Sequence, residues 1–342
     1  MDKKIGMGVI GTGLWGEVHA GIYSTHPYSR LVAVCDIDAD KAKSIASRYG
    51  AANYYTDYEE LLKNSDIDAV AVVTPDFAHR GPIVAAAEAG KHIITEKPLA
   101  TTREDVEAID DAVKKSCVKL MVDFHARWSP PIVVAREDIG SGKLGRIISA
   151  YLRLNDTISV PTQMLSWASK SSILWFLGSH TVDTLRFLFN DEVERVYSVS
   201  RSRVLKEKGI DVEDIYQSIL EFKSGIIASI ENNWIVPNSN PSVNDFKVNI
   251  LGEKGMISMD LTHNQLIERY LENYSDHPDI LVKTKVRDRY VGFAYESIKD
   301  FVECLAEDKP LLVGLEDGVR VTKVILAIIE SARSRKPVEI EY

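Results

Sequence analysis

Apolar positions along the chain follow two different grammars. Up to about residue 124, short apolar runs (Met7 to Ile10, Leu31 to Cys35, Ala69 to Val73, His92 to Thr95, Lys119 to Phe124) alternate with stretches of helical character. Runs this short, with little polar alternation, are what a strand covered on both faces requires. Between them lie Glu17 to Tyr23, Ala39 to Tyr49 stopped by Gly50, Tyr58 to Lys63 capped by Asp57, and Ile83 to Ala89 stopped by Gly90. A further helix runs from a Thr101 or Thr102 cap to about Lys115, with Glu104 and Asp105 suiting its positive end. Repeated βα units predict a doubly wound, mostly parallel sheet with helices on both faces, and place a ligand at the C-terminal ends of the strands.

After Phe124 the grammar changes. Pro130-Pro131 reads as a break, followed by a helix from Ile132 to Ile139 that ends at Gly140-Ser141-Gly142. Strand-like runs then dominate: Ile147 to Leu154, Val193 to Val204, Tyr216 to Phe222, Ile226 to Trp234, Phe246 to Leu251, Gly255 to Asp260 and Gln265 to Leu271. Lys223-Ser224-Gly225 and Gly252-Glu253-Lys254-Gly255 read as hairpin turns, so their flanking strands should pair antiparallel. One helix, Ser172 to Phe189, interrupts this region; Phe293 to Glu307 and Leu315 to Arg333 close the chain. The pattern predicts two domains: residues 1–124, α/β with a doubly wound parallel sheet, and residues 125–342, α+β with a predominantly antiparallel mixed sheet.

The first strand runs directly into Gly11-Thr12-Gly13-Leu14-Trp15-Gly16 and then into a helix, the context in which a GxGxxG pattern carries meaning. Gly11 permits the tight turn, Gly13 lets backbone approach a pyrophosphate, and Gly16 lets the helix lie close to the strand. The helix start offers N–H groups to phosphate. The second strand ends in Asp36, twenty residues after Gly16, where an acid accepts both ribose hydroxyls and repels a 2′-phosphate. Ile37 follows where a 2′-phosphate binder would often carry Ser, Thr or Arg. NAD is therefore the expected cofactor, with NADP the alternative if Lys41 or Arg48 reaches a phosphate.

Composition narrows the partners. There are 41 basic and 50 acidic residues, a net charge of −9, which argues against nucleic acid or an anionic membrane as the main partner. Apolar runs are strand-sized, so no membrane span is expected. Met1-Asp2-Lys3-Lys4 leads straight into a strand without the shape of a signal peptide. Cys35, Cys117 and Cys304 are odd in number and widely spaced, which reads as a reducing, cytoplasmic setting with no metal site.

Three places could carry chemistry. Glu96-Lys97-Pro98 follows a parallel strand at the same sheet edge as the glycine turn. A lysine there lies beside the cofactor and suits proton exchange with an alcohol–ketone pair, or it is a solvated loop residue. Thr74-Pro75-Asp76, with His79, occupies the same edge, either touching cofactor or forming a turn with a helix cap. His180 lies on the Ser172–Phe189 helix among Ile173, Phe176, Leu177 and Leu185, a setting shared by catalytic and core histidines. Asp183 could share its face. Trp167, Trp175 and Phe176 nearby are core-type residues that also stack on sugar rings.

Taken together, these elements resemble the glucose–fructose oxidoreductase / inositol dehydrogenase group, Gfo/Idh/MocA. The matching pieces are Val9 to Gly16, Val73-Thr74-Pro75-Asp76 with His79, Ala89-Gly90-Lys91-His92, Glu96-Lys97-Pro98-Leu99-Ala100, Gly142 to Ile147, Gly252 to Gly255, and the closing Val321–Ala332 helix with Lys336-Pro337-Val338. The resemblance covers nearly the whole chain. It implies an N-terminal Rossmann domain and a C-terminal mixed sheet that lines the substrate cleft and often forms the oligomer contact, hence a homodimer or homotetramer. It implies NAD or NADP, and sugars, polyols or cyclitols as substrates. Lys97 matches the lysine that bonds the reacting hydroxyl and cofactor, His180 the acid/base histidine, and Arg127 the arginine near the site. The implied cofactor contacts are Gly11 to Gly16, Asp36, Ile37, Thr74, Pro75, Asp76, His79, Glu96 and Lys97; the implied substrate contacts are Lys97, Arg127, Trp167, Phe176 and His180.

One departure stands out. The group's usual helix pattern is Gly-Gly, three residues, Asp, three residues, His; here Ser171-Ser172 replaces the glycines and Phe176 the Asp. Lys97 and His180 remain as the matched acid/base groups. The expected function is NAD(P)-dependent hydride transfer to or from a sugar, polyol or cyclitol hydroxyl. The alternatives are an enzyme using tightly held NAD transiently (an epimerase, lyase or sugar transhydrogenase) or a non-catalytic protein sensing NAD and sugar.

Overall fold

Parallel pairing of six strands builds the first part of the computed structural model, which describes residues 4–262 and 267–342. In chain order the elements are β1 (Ile5–Ile10), α1 (Leu14–Thr25), β2 (Ser29–Cys35), α2 (Ala39–Tyr49), β3 (Asn53–Tyr55), α3 (Tyr58–Leu62), β4 (Ala69–Val72), α4 (Arg80–Glu88), β5 (His92–Thr95), α5 (Arg103–Ser116) and β6 (Leu120–Val122). The sheet order is β3-β2-β1-β4-β5-β6, with every neighbour parallel. The chain therefore reverses direction across the sheet between β1 and β4, and a crevice opens there at the strands' C-terminal ends. The local signals act as their chemistry dictates. Asp57 accepts the Glu59 N–H, Thr102 accepts the Asp105 N–H, and Gly50 and Gly90 take positive φ at helix ends. The helix α1 begins at Leu14 rather than Glu17, because Gly13 is already its N-cap.

The second sheet runs through β7 (Ile147–Asp156), β8 (Val193–Arg201), β9 (Ile215–Phe222), β10 (Ile227–Asn233), β11 (Asn244–Gly252) and β12 (Met256–Asp260). Its order is β12-β11-β7-β10-β9-β8, closed at one edge by Val338–Glu339. Both predicted hairpins, β9–β10 and β11–β12, are antiparallel, and β7–β10 is the parallel pair that makes the sheet mixed. Inward positions such as Leu152, Leu220, Ile230 and Val248 are buried, whereas Tyr197, Ile219, Ile227, Leu251 and Met256 stay exposed. Helices α6 (Pro130–Gly140) and α7 (Ser179–Phe189) belong to this part. Pro130-Pro131 does not break the chain. It starts α6, where a missing N–H removes no helical bond. Of the expected strand Gln265–Leu271, the described part holds Arg269–Tyr270 paired with Ser275–Asp276; residues 263–266 lie outside the described chain, as do residues 1–3.

Contact density groups Met1–His125 with Lys285–Thr322, and Ala126–Thr284 with Lys323–Tyr342. This differs from one continuous second domain. The reason lies in α8 (Phe293–Ala306), whose apolar face of Ala294, Ile298, Phe301 and Val302 is buried in the first unit. Tyr290, just before α8, packs so closely that a Cβ on Gly21 of α1 would sit 2.3 Å from its hydroxyl. The closing helix α9 (Leu315–Ser334) follows.

Candidate active site

The glycine turn in the first unit has three distinct backbone roles. Gly11 has φ +97°, and a Cβ there would sit 2.5 Å from the Val73 carbonyl oxygen. A Cβ on Gly16 would come within 1.9 Å of the Gly11 oxygen, so α1 can only lie this close because Gly16 has none. Gly13 differs: among the described residues nothing lies within 4 Å of its would-be Cβ, and no side chain caps α1 there. The open space and the uncapped N–H groups of the first turn are what a diphosphate needs. The Leu14 side chain is exposed. The ring of Trp15 stacks on His125 (5.9 Å, 23°) and meets Tyr295 edge-on, which commits its side chain to those rings.

Asp36 is held by a residue whose part the sequence did not reveal. Thr12 donates to Asp36 Oδ2 from both its N–H and its hydroxyl, each at 2.8 Å, and the Asp38 N–H donates to Oδ1 at 3.0 Å. The carboxylate is thereby fixed at the end of β2. Ile37 is 95 % exposed, an apolar surface beside Asp36. The two cations able to receive a 2′-phosphate are engaged: Lys41 with Asp38 at 3.5 Å, and Arg48 with Glu17 at 2.5 Å, where Tyr49 also donates at 2.9 Å. The donor set therefore fits NAD.

The loops after β4 and β5 are tied together by His79. This histidine, expected at the cofactor, is buried; its Nδ1 lies 2.7 Å from the Pro98 carbonyl and its Nε2 3.0 Å from the Thr74 carbonyl. Burial lowers its pKa below the ordinary histidine value despite the carbonyls that favour the cation. Its part is to brace the two loops that carry Thr74-Pro75-Asp76 and Glu96-Lys97-Pro98. The first loop turns through a short 3-10 segment, Asp76–Ala78, with Asp76 buried and the Thr74 hydroxyl bonded to the Ala78 carbonyl. In the second, the Lys97-Pro98 peptide is cis. Lys97 lies close enough to Glu96 for its charge to lower that carboxyl's pKa.

The second unit holds His180 by side chains. A π-helical turn, Leu174–Gly178, leads into α7, so His180 stands in the first α-helical turn and is buried. Asn232 of β10 pins this start, donating to the Leu154 carbonyl (2.8 Å) and to the Thr181 hydroxyl (2.9 Å). Phe176 lies between Trp167 (6.3 Å) and Trp234 (5.9 Å). The Trp234 indole N–H donates to Asp156 at 3.3 Å. Trp167 and Phe176 remain partly exposed, which leaves aromatic surface beside the start of α7. Arg127, expected at the substrate, is buried instead against α7. Its Nε and Nη2 donate to Asp183 at 3.0 and 2.6 Å, and its guanidinium lies over Phe187. Asp183 is also 3.8 Å from Arg186, which pairs with Glu192. The Arg127–Asp183 pair thus anchors the helix that carries His180, a role invisible in spacing because the partners are 56 residues apart.

Comparison with known proteins identifies the family. Residues 5–124 match the family model for an oxidoreductase family with an NAD-binding Rossmann fold, and residues 136–340 match the same family's C-terminal alpha/beta domain. The chain is 28% identical to a levoglucosan dehydrogenase from Pseudarthrobacter phenanthrenivorans, over 99% of this chain and 98% of that one. It is 26% identical to a myo-inositol 2-dehydrogenase from Thermotoga maritima, over 98% of each. Its fold matches a Lactobacillus casei scyllo-inositol dehydrogenase solved with NAD(H) and scyllo-inositol: TM-score 0.84, 20% identity, covering 98% of this chain and 99% of that one. Among the described residues no helix is long and apolar enough to cross a membrane. The chain belongs to the Gfo/Idh/MocA family of NAD-binding oxidoreductases.

Proposed function

We propose that this protein is an NAD-dependent dehydrogenase acting on a hydroxyl of a sugar, polyol or cyclitol. The observation that carries the reading is the nucleotide end: open space at Gly13, a carboxylate fixed by Thr12, and both nearby cations already paired. Bound NAD supplies the hydride acceptor for the substrate carbon. Backbone N–H groups after Gly13 hold the diphosphate, and Asp36 accepts the ribose hydroxyls. Lys97 and His180 are the groups assigned to the substrate hydroxyl proton. Phe176 cannot carry a proton, so these two residues do so without the carboxylate usual in the family. Trp167 and Phe176 offer a ring surface suited to the C–H face of a sugar. The relatives named as levoglucosan and inositol dehydrogenases support this substrate class.

The exposed face of the second sheet, with Tyr197, Ile219, Ile227, Leu251 and Met256, supports a homodimer or homotetramer built through that face. The free thiols Cys35, Cys117 and Cys304 support a cytoplasmic setting. The test is an NAD-coupled absorbance screen over anhydrosugars, aldoses, polyols and inositols, with Lys97→Met as the control. Turnover by the parent and its loss in the variant supports the reading. A parent that binds NAD and sugar but turns over none points to a sensor.

A further inference from the structure

Behind the Glu96-Lys97-Pro98 turn, within the first unit, lies a closed polar cluster that the reaction described above does not use. Helix α1 contributes His19 and Tyr23, the end of β5 contributes Glu96, the end of β6 contributes Asp123, and α8 contributes Ser297. His19, Tyr23, Asp123 and Ser297 are fully buried, and Glu96 nearly so. His19 Nε2, Glu96 Oε1 and an Asp123 carboxyl oxygen lie within 4.8 Å of one another, with the histidine nitrogen 3.8 Å from Glu96. Among the described residues, none of these atoms has a hydrogen-bond partner, nor does the second Asp123 oxygen.

Two carboxylates this close, shut away from water, do not both carry charge. The neighbours decide which one does. Burial pushes Glu96 up, but His19 and the charges of Lys97 and His125 outweigh it and hold the carboxyl below its ordinary value. Burial and the Glu96 charge push Asp123 well above the ordinary carboxyl value, against the smaller opposing effects of Ser297 and Lys97. Tyr23 stays a phenol, and its hydroxyl lies 2.8 Å from His19 Nδ1. With that hydroxyl donating to Nδ1, the histidine proton sits on Nε2, the nitrogen that faces Glu96.

We propose that Asp123 is kept as the neutral acid and that His19, Glu96 and Asp123 share their protons so as to present one buried negative charge behind Lys97, acting as positioning residues for that lysine. The Lys97 half of the proposal rests on the function proposed above. The proton half stands by itself.

Two measurements test it. The first compares thermal unfolding of Asp123→Asn with the parent across pH. An acid that is neutral when folded but ionises when unfolded costs stability as pH rises above the ordinary carboxyl value of about 4. Asn carries no such cost. The Tm of the variant should therefore gain on the parent steadily from about pH 4 to about pH 8. A Tm difference that stays flat or falls with pH would overturn the proposal, as would a stoichiometric divalent metal found in the purified parent by elemental analysis. The second measures the pH profile of kcat/KM for Glu96→Gln. Removing the charge should lower the apparent lysine pKa by about one unit or more. An unchanged profile in a variant with a lower Tm would reduce Glu96 to a packing residue and overturn the positioning role. If Lys97→Met retains turnover, the catalytic reading and the positioning half fall together, and the Asp123→Asn comparison still decides the proton half.

Discussion

The two units fix a polar group at the end of an element by opposite means. At the nucleotide end the work is done by backbone: Gly11, Gly13 and Gly16 set how closely a turn, a ligand and a helix can approach. At the start of α7 it is done by long-range side-chain pairs: Arg127 to Asp183, and Asn232 to Thr181. That opposition decides what a sequence can disclose. A backbone site is written as a local spacing of glycines. A side-chain site is written as two polar residues far apart, whose pairing exists only once the chain has folded.

That contrast can be broken or sharpened by substitution. The largest effect is expected at Lys97. Lys97→Met should lower kcat/KM by roughly 10³-fold with NAD affinity unchanged, as steady-state kinetics and calorimetry would show. Asp183→Ala comes next. It removes the carboxylate that accepts both bonds from the buried Arg127 guanidinium, so denaturant unfolding should report a loss of about 3–5 kcal/mol. A loss under about 1 kcal/mol would mean that the helix does not depend on the pair. The glycines then separate within one motif. Gly16→Ala forces a Cβ onto a carbonyl oxygen and should cost at least about 1–3 kcal/mol in the same assay. Gly13→Ala, with open space around it, should change stability by less than about 0.5 kcal/mol yet weaken NAD binding about tenfold or more. Equal stability losses at the two glycines would erase the distinction between a packing and a binding glycine. The smallest effect is expected at Asp36: Asp36→Ser should weaken NAD about tenfold and narrow the preference over NADP, measured as the ratio of Kd values.

Much of the fold was legible. The βα alternation, the caps at Asp57 and Thr102 and the hairpin at Lys223-Ser224-Gly225 are local signals, and the chain obeys them. Gly11 to Gly16 and Asp36 were legible for the same reason. Thr12 was visible as a motif position, but its grip on Asp36 was not, because it spans 24 residues. His79 and Arg127 were expected at the cofactor and substrate; in the structure His79 bridges two loop carbonyls and Arg127 is paired to Asp183, partners that no spacing names. Pro130-Pro131 read as an interruption because proline stops a helix everywhere except its first turn, which is where it sits. The return of α8 to the first unit was invisible, since an apolar helix face does not name the surface it covers. Nor did any spacing announce the closed cluster at Asp123, whose members come from four separate elements.

In the proposed reaction a hydride leaves a polyhydroxylated substrate for NAD, and the step depends on Lys97. It is tested most directly by following NADH absorbance for the parent and Lys97→Met across anhydrosugars, aldoses, polyols and inositols. The parent should form NADH with at least one of them, and the variant about 10³-fold less. Equal rates from the two proteins, or no NADH from the parent with any of these substrates, would contradict it.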